Sequence, residues 1–78
     1  MKKMAESAGW YGIVAILGAY ALVSFSVIES GSFIYQALNL TGALGVIWIS
    51  YIKGVKQSVV LNVVWALIAL VAIVKLVL

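Results

Sequence analysis

The chain of 78 residues has no cysteine, no histidine and no proline, and its only acidic side chains are Glu6 and Glu29. Each absence removes a class of function. Without cysteine there is no disulfide framework and no thiol chemistry. Without histidine, and with two carboxylates that lie outside the apolar runs, there is no donor set for a metal cage, so no metal and no cofactor is expected. The usual acid–base and nucleophilic constellations are missing as well, and the chain does not read as an enzyme. Charge is also scarce. Five lysines against two glutamates give a net charge of +3. The lysines flank apolar segments, which fits attraction to anionic lipid headgroups better than binding of nucleic acid.

What is present in abundance is apolar sequence, 67% of all residues. It falls into three runs, Trp10 to Ile28, Phe33 to Ile52 and Val59 to Leu78. Each is close to the roughly 20 residues a helix needs to cross a ~30 Å hydrocarbon layer. None has a polar face wide enough for a water-soluble helix. The expected fold is all-α: an integral membrane three-helix bundle with spans at about 9–28, 33–52 and 58–78, a single domain over 1–78. Met1 to Ala8 form a short polar cytoplasmic tail. Lys2 and Lys3 look like the start of a signal peptide, but the run that follows is too long for one, so it reads as a retained helix.

Turn chemistry supports the division. Glu29–Ser32 makes a short turn that forces the first two helices to be antiparallel neighbours. Ser32 is a plausible N-cap for the second helix and Ser58 for the third. Gly54 can take a left-handed conformation to close the second helix. Trp10, Tyr11 and Tyr51 lie near span ends, at the depth where aromatic rings favour headgroups. Lys75 can snorkel from the last turn. Lys2, Lys3, Lys53 and Lys56 share one side, which places the N-terminus and the second turn in the cytoplasm and the C-terminus outside, in a multi-pass inner-membrane topology.

Polar side chains within the runs carry most information, because hydrocarbon offers them no partners. Tyr20 lies about 15 Å deep in the first helix and its hydroxyl needs a partner. In the second helix, Tyr35, Gln36 and Asn39 share one face, continued by Gly42 and Val46. Asn39 lies roughly 9 Å below the outer surface. A second face carries Thr41, Gly45 and Trp48, so this helix has contacts to make on two sides. In the third helix, Asn62, Trp65 and Ala66 share a face, and Asn62 and Trp48 can sit at one depth. Two readings stand side by side. The amides and indoles are interhelical glue, or they line a path for a neutral polar solute, with rings on its C–H surface and amides on its hydroxyls. Helix packing is assigned to small residues: Gly12 and Gly18 in the first helix, Ala37, Thr41, Gly42 and Gly45 in the second, Ala66 in the third.

The run Tyr35-Gln36-Ala37-Leu38-Asn39-Leu40-Thr41-Gly42-Ala43, followed by Leu61-Asn62-Val63-Val64-Trp65, resembles a family of small bacterial membrane proteins typified by a Coxiella protein of unknown function. The likeness covers about residues 9 to 75 and implies a three-helix membrane domain with no agreed activity. Trp48, Tyr51 and Asn62 are similar to a pattern in half-size sugar transporters of the semiSWEET, or PQ-loop, type. That resemblance implies a parallel homodimer around a central path. The Pro-Gln pair of that family's first helix is absent here.

Three functions are therefore weighed. One is a transporter-like homodimeric module for a small neutral solute, its path lined by Tyr20, Asn39, Trp48, Asn62 and Trp65, with Tyr35 and Gln36 as further polar candidates. The second is a structural or accessory subunit of a membrane complex, in which the same residues bond between helices. A holin-like pore former ranks below both. The expected partners are the lipid bilayer and a second copy of the chain.

Overall fold

Lys2, Lys3, Met4, Ala5 and Glu6 are all strong helix formers, and in the computed structural model, which describes residues 2–78, they open the first helix. Met1, counted with the N-terminal tail, lies outside the described residues. α1 spans Lys2–Ser24, α2 Phe33–Lys53 and α3 Lys56–Val77. At 1.5 Å per residue they are about 34, 31 and 33 Å long, and all three are long and apolar enough to cross a membrane.

The first span thus differs from expectation at both ends. It starts at Lys2 rather than near Gly9, because the polar tail continues the helix and packs: Ala5 is fully buried. It stops at Ser24 rather than Ile28. Ser26 turns the backbone into the left-handed region with φ 61. The Val27 N–H then donates to the Leu22 carbonyl at 2.8 Å, and the Ser26 N–H to the Val23 carbonyl at 3.0 Å. This paired closure is the Schellman motif, built here without glycine. Ser26 is therefore a helix stop and not an intramembrane polar group. The same closure ends α2 with the expected residue. Gly54 has φ 74, with Val55 N–H on the Ser50 carbonyl at 2.9 Å and Gly54 N–H on Tyr51 at 3.2 Å.

At the start of α2, the Ser32 hydroxyl accepts from the Tyr35 N–H at 3.2 Å, as its position suggested. Ser58 is not a cap. α3 already begins at Lys56, with Val55 before it and no side-chain capping bond. The glycine closure reverses the chain so tightly that Ser58 falls inside the first turn.

α2 is the central helix. It packs against both α1 and α3, whose Cα atoms do not come within 8 Å of each other among the described residues. The core is made of small residues. Its buried apolar side chains are Ala5, Ala15, Ala19, Ala43, Ala66 and Ala69, and no large side chain among the described residues is fully buried. Leu17, Ile34, Leu44, Ile68 and Val77 are exposed instead. This is the reverse of a water-soluble domain, where large apolar residues fill the interior.

The α1–α2 contact explains the inversion. A Cβ built on Gly12 would overlap the Gly42 carbonyl oxygen, and one on Gly45 would overlap the Ala8 carbonyl. Backbone meets backbone, an approach open only to glycine at these positions. Gly42 and Val46 therefore face Gly12 on α1 and do not continue the Asn39 face as expected; Asn39 turns to α3. Gly18 is a second correction: nothing lies within 4 Å of its would-be Cβ. It sits about 120° around α1 from Gly12 and takes no part in this packing.

Two expectations follow for unfolding in micelles followed by circular dichroism. Gly12→Ala and Gly45→Ala each lower stability by about 1–3 kcal/mol through overpacking against backbone, whereas Gly18→Ala leaves it unchanged or slightly raised. Ser26→Gly stabilises the α1–α2 connection by about 1 kcal/mol, and Ser26→Val weakens it by at least as much.

Candidate functional site

The polar side chains of the spans are brought together in three places, each across a helix pair. The first lies between α2 and α3. Trp65 Nε1 donates to Asn39 Oδ1 at 2.8 Å. An indole nitrogen can only donate, so this contact fixes which end of the Asn39 amide faces α3. Its other end is satisfied locally, Nδ2 donating to the Tyr35 carbonyl at 2.8 Å. Asn39 is only 3% exposed, so an open valence there would be costly. Both ends of the amide are used.

The second place is lower on the same helix pair. Ser50 and Ser58 hydroxyls meet at 2.7 Å. Asn62 Nδ2 donates to the Ser58 carbonyl at 2.9 Å and approaches its hydroxyl at 3.4 Å. When Ser58 Oγ accepts from Asn62, its own proton is free to point at Ser50. Asn62 is thus coupled to α2 through Ser58, the residue expected to cap α3. Asn62, Ala66 and Ala69 form the buried line of α3.

The third place joins α1 to α2. Thr41 Oγ1 donates to the Ala37 carbonyl at 2.8 Å, which uses its only proton. The Tyr11 hydroxyl, 2.6 Å from Thr41 Oγ1, must then be the donor. Tyr11 lies about 14 Å from the start of α1 and about 20 Å from its end. It is the mid-span tyrosine with a partner.

Tyr20 is the reverse. It was expected to be deep with a bonded hydroxyl, yet it is 66% exposed and forms no side-chain hydrogen bond among the described residues. α1 ends only about 6 Å beyond it, so Tyr20 takes the interfacial belt position first given to Tyr11. The four-residue shift in the end of α1, from Ile28 to Ser24, exchanges the two roles.

Of the sequence-derived path residues, Tyr35, Gln36, Asn39 and Trp65 do converge. With Ile68 and Ala69 they line a cleft of about 250 Å³ between α2 and α3. Gln36 spends its Nε2 on the Ser30 carbonyl, 3.0 Å away in the α1–α2 connection. Trp48 does not join them. It is half-buried, carries no side-chain hydrogen bond among the described residues, and is not paired with Asn62 as expected. Thr41 and Ala37 serve the Tyr11 contact, and Ala66 the α2–α3 interface. No buried side-chain nitrogen or oxygen among the described residues lacks a partner.

Sequence reasoning assigned no hydrogen-bond partner to Tyr11 or Ser50. The signal for Tyr11 was its i+30 partner Thr41, visible only once the antiparallel register is known. For Ser50 it was the Ser50-x₇-Ser58 spacing across a tight turn.

Removing the Trp65–Asn39 bond tests how much it holds. Trp65→Phe leaves the Asn39 oxygen buried and unpaired and is expected to cost about 1–3 kcal/mol. Adding Asn39→Leu recovers most of that loss, since replacing both partners removes the orphan. A double-mutant cycle on micelle unfolding reads the coupling.

A family model matches residues 5–78 of the chain. It is that of the Coxiella-named family, and the chain belongs to this family. No curated protein and no solved structure matches it.

Proposed function

We propose that the chain is a non-transporting structural or accessory subunit of a membrane complex, a small helical scaffold of the bacterial inner membrane. One observation carries this reading: the amides that a solute path would need are engaged within the chain. Asn39 is bonded at both ends, and Asn62 donates to Ser58. A carrier keeps such groups free to exchange protein partners for solute. Here Asn39 bonds across to Trp65 on α3, and Asn62 is tied within α3 to Ser58, whose hydroxyl meets Ser50 on α2; holding helices together is the use that polar groups in membrane bundles commonly serve at ~0.6–2 kcal/mol each. The exposed rows of Leu, Ile and Val on all three helices suit lipid on some faces and a partner subunit on others. Lys2, Lys3, Lys53 and Lys56 at one end favour a cytoplasmic N-terminus and α2–α3 turn, with the C-terminus outside.

A second reading has its own support. The 250 Å³ cleft combines the Tyr35 and Trp65 rings with the Gln36 and Asn39 side chains, a lining suited to a neutral polar solute. Because α1 and α3 stand apart, three helices enclose no path alone. This transporter reading therefore requires a homodimer.

Reconstitution into liposomes separates the two. Shrinkage and swelling in glycerol, xylitol and glucose are expected to match protein-free vesicles, and Asn39→Ala is expected to lower thermal stability without touching permeability. Saturable solute flux that Asn39→Ala abolishes in a still-folded protein would replace the scaffold reading with the transporter.

A further inference from the structure

The basic end of the α1–α2 hairpin has a shape that neither reading uses. The Glu6 carboxylate and the Lys53 ammonium form an ion pair at 3.1 Å, both side chains about half exposed. Exposed pairs of this kind add little stability. Its location is more informative, because a cleft opens on either side of it. One, of about 370 Å³, is lined by Lys2, Glu6, Ile49, Ile52 and Lys53. The other, of about 200 Å³, runs down past Gly9, Trp10, Ile13 and Ile49. Glu6, Ile49 and Lys53 belong to both.

We propose that this double cleft binds one anionic phospholipid, its phosphate between Lys2 and Lys53 and its glycerol and upper acyl chain along Trp10 and Ile13. Three observations converge. The charge is right: Lys2 and Lys53 stand against the single carboxylate of Glu6, which also holds Lys53 over the cleft. The gradient is right: along α1 the lining passes from Lys2 to Trp10 and then Ile13 over about three helical turns, the order in which a lipid presents phosphate, glycerol and chain. The floor is firm: Gly9 is buried with Ile49 seated directly against it, and beside it Trp10 stands 65% exposed on the wall of the cleft. A free phosphate would use only the lysines and would leave the apolar half of the cleft unoccupied. The inference rests on the membrane placement of the three helices and is independent of whether the chain is scaffold or carrier.

The test uses tryptophan quenching in phosphatidylcholine vesicles doped with brominated phosphatidylglycerol or brominated phosphatidylcholine at equal mole fraction. The Trp10 component is the difference between the full chain and Trp10→Phe. Quenching of that component by the anionic lipid is expected to occur at about fivefold lower mole fraction per cleft lysine. Lys2→Gln with Lys53→Gln abolishes the preference, while Lys56→Gln, at the same end but lining neither cleft, keeps it. Millimolar glycerophosphate in the buffer does not relieve the quenching. Equal quenching by both lipids would overturn the proposal. So would a loss of preference in Lys56→Gln as large as in the double variant, which marks diffuse attraction, or relief by glycerophosphate, which marks a free-phosphate site. Absence of quenching by either lipid would instead refute the membrane placement itself. Circular dichroism on each variant separates loss of the site from loss of the fold.

Discussion

Direct backbone contact between α1 and α2 is the constraint on which the rest of this structure depends. Inside a bilayer, apolar side chains gain nothing by leaving lipid for protein, so helices associate through close packing and polar bonds. The close packing here is supplied by Gly12, Gly42 and Gly45, which let carbonyl groups of one helix lie against the backbone of the other. Once the helices are that near, the fully enclosed positions go to glycine and alanine, large residues such as Ile16, Val46 and Ile49 pack half-buried at the edges of the seam, and most others are turned outward. The inverted distribution of size is thus a consequence of the contact and not a separate property. It also fixes register: with Gly12 at Gly42 and Ala8 at Gly45, Glu6 reaches Lys53 and Tyr11 reaches Thr41.

The two faces of α2 solve the packing problem differently. Toward α1 it presents glycine and relies on proximity. Toward α3 it presents Asn39, Ala43 and Ser50 and relies on hydrogen bonds. These lines are separated by roughly 100° around the helix, which is why α1 and α3 flank α2 with their backbones held apart. An amide at the depth of Asn39 cannot be left to lipid. Its pairing with Trp65 removes that penalty and selects one rotation of α3 about its axis. Polar residues in this chain therefore act on specificity of packing as much as on its strength.

Much of this was legible in the sequence, and the misses have common causes. The three spans, the Ser32 cap and the Gly54 closure follow from composition and from residues whose conformational preferences are strong. α1 was misplaced at both ends for physical reasons of two kinds. Its charged first turn looks like a tail by hydropathy although Lys, Met, Ala and Glu all favour helix. Its end depends on Ser26 in a left-handed conformation, for which serine carries no signal. That error propagated: depth counted from the wrong end made Tyr20 an intramembrane donor and Tyr11 a belt residue. Face assignments on α2 failed more narrowly. Gly42 and Asn39 are three positions apart and so share a broad face, yet the boundary between two partner helices falls between them. A single chain read without register cannot locate that boundary. Trp65 and Asn39, by contrast, were both singled out from chemistry alone, because an indole and an amide within an apolar run must find partners.

The unequal seams have a consequence for how the molecule divides. α3 is the most apolar helix, with mean hydropathy 2.6 against 1.4 and 1.3 for α1 and α2. Its stability in a bilayer thus owes least to its neighbours. What docks it is a line of alanines and two polar contacts, Trp65–Asn39 and Ser58–Ser50, while α1 and α2 are joined through backbone contact that admits no rearrangement. Those few directional bonds therefore act mainly on how α3 is oriented against α2, since the helix is stable in lipid on its own. The α1–α2 hairpin, joined along its backbone, is the more tightly packed part of the protein.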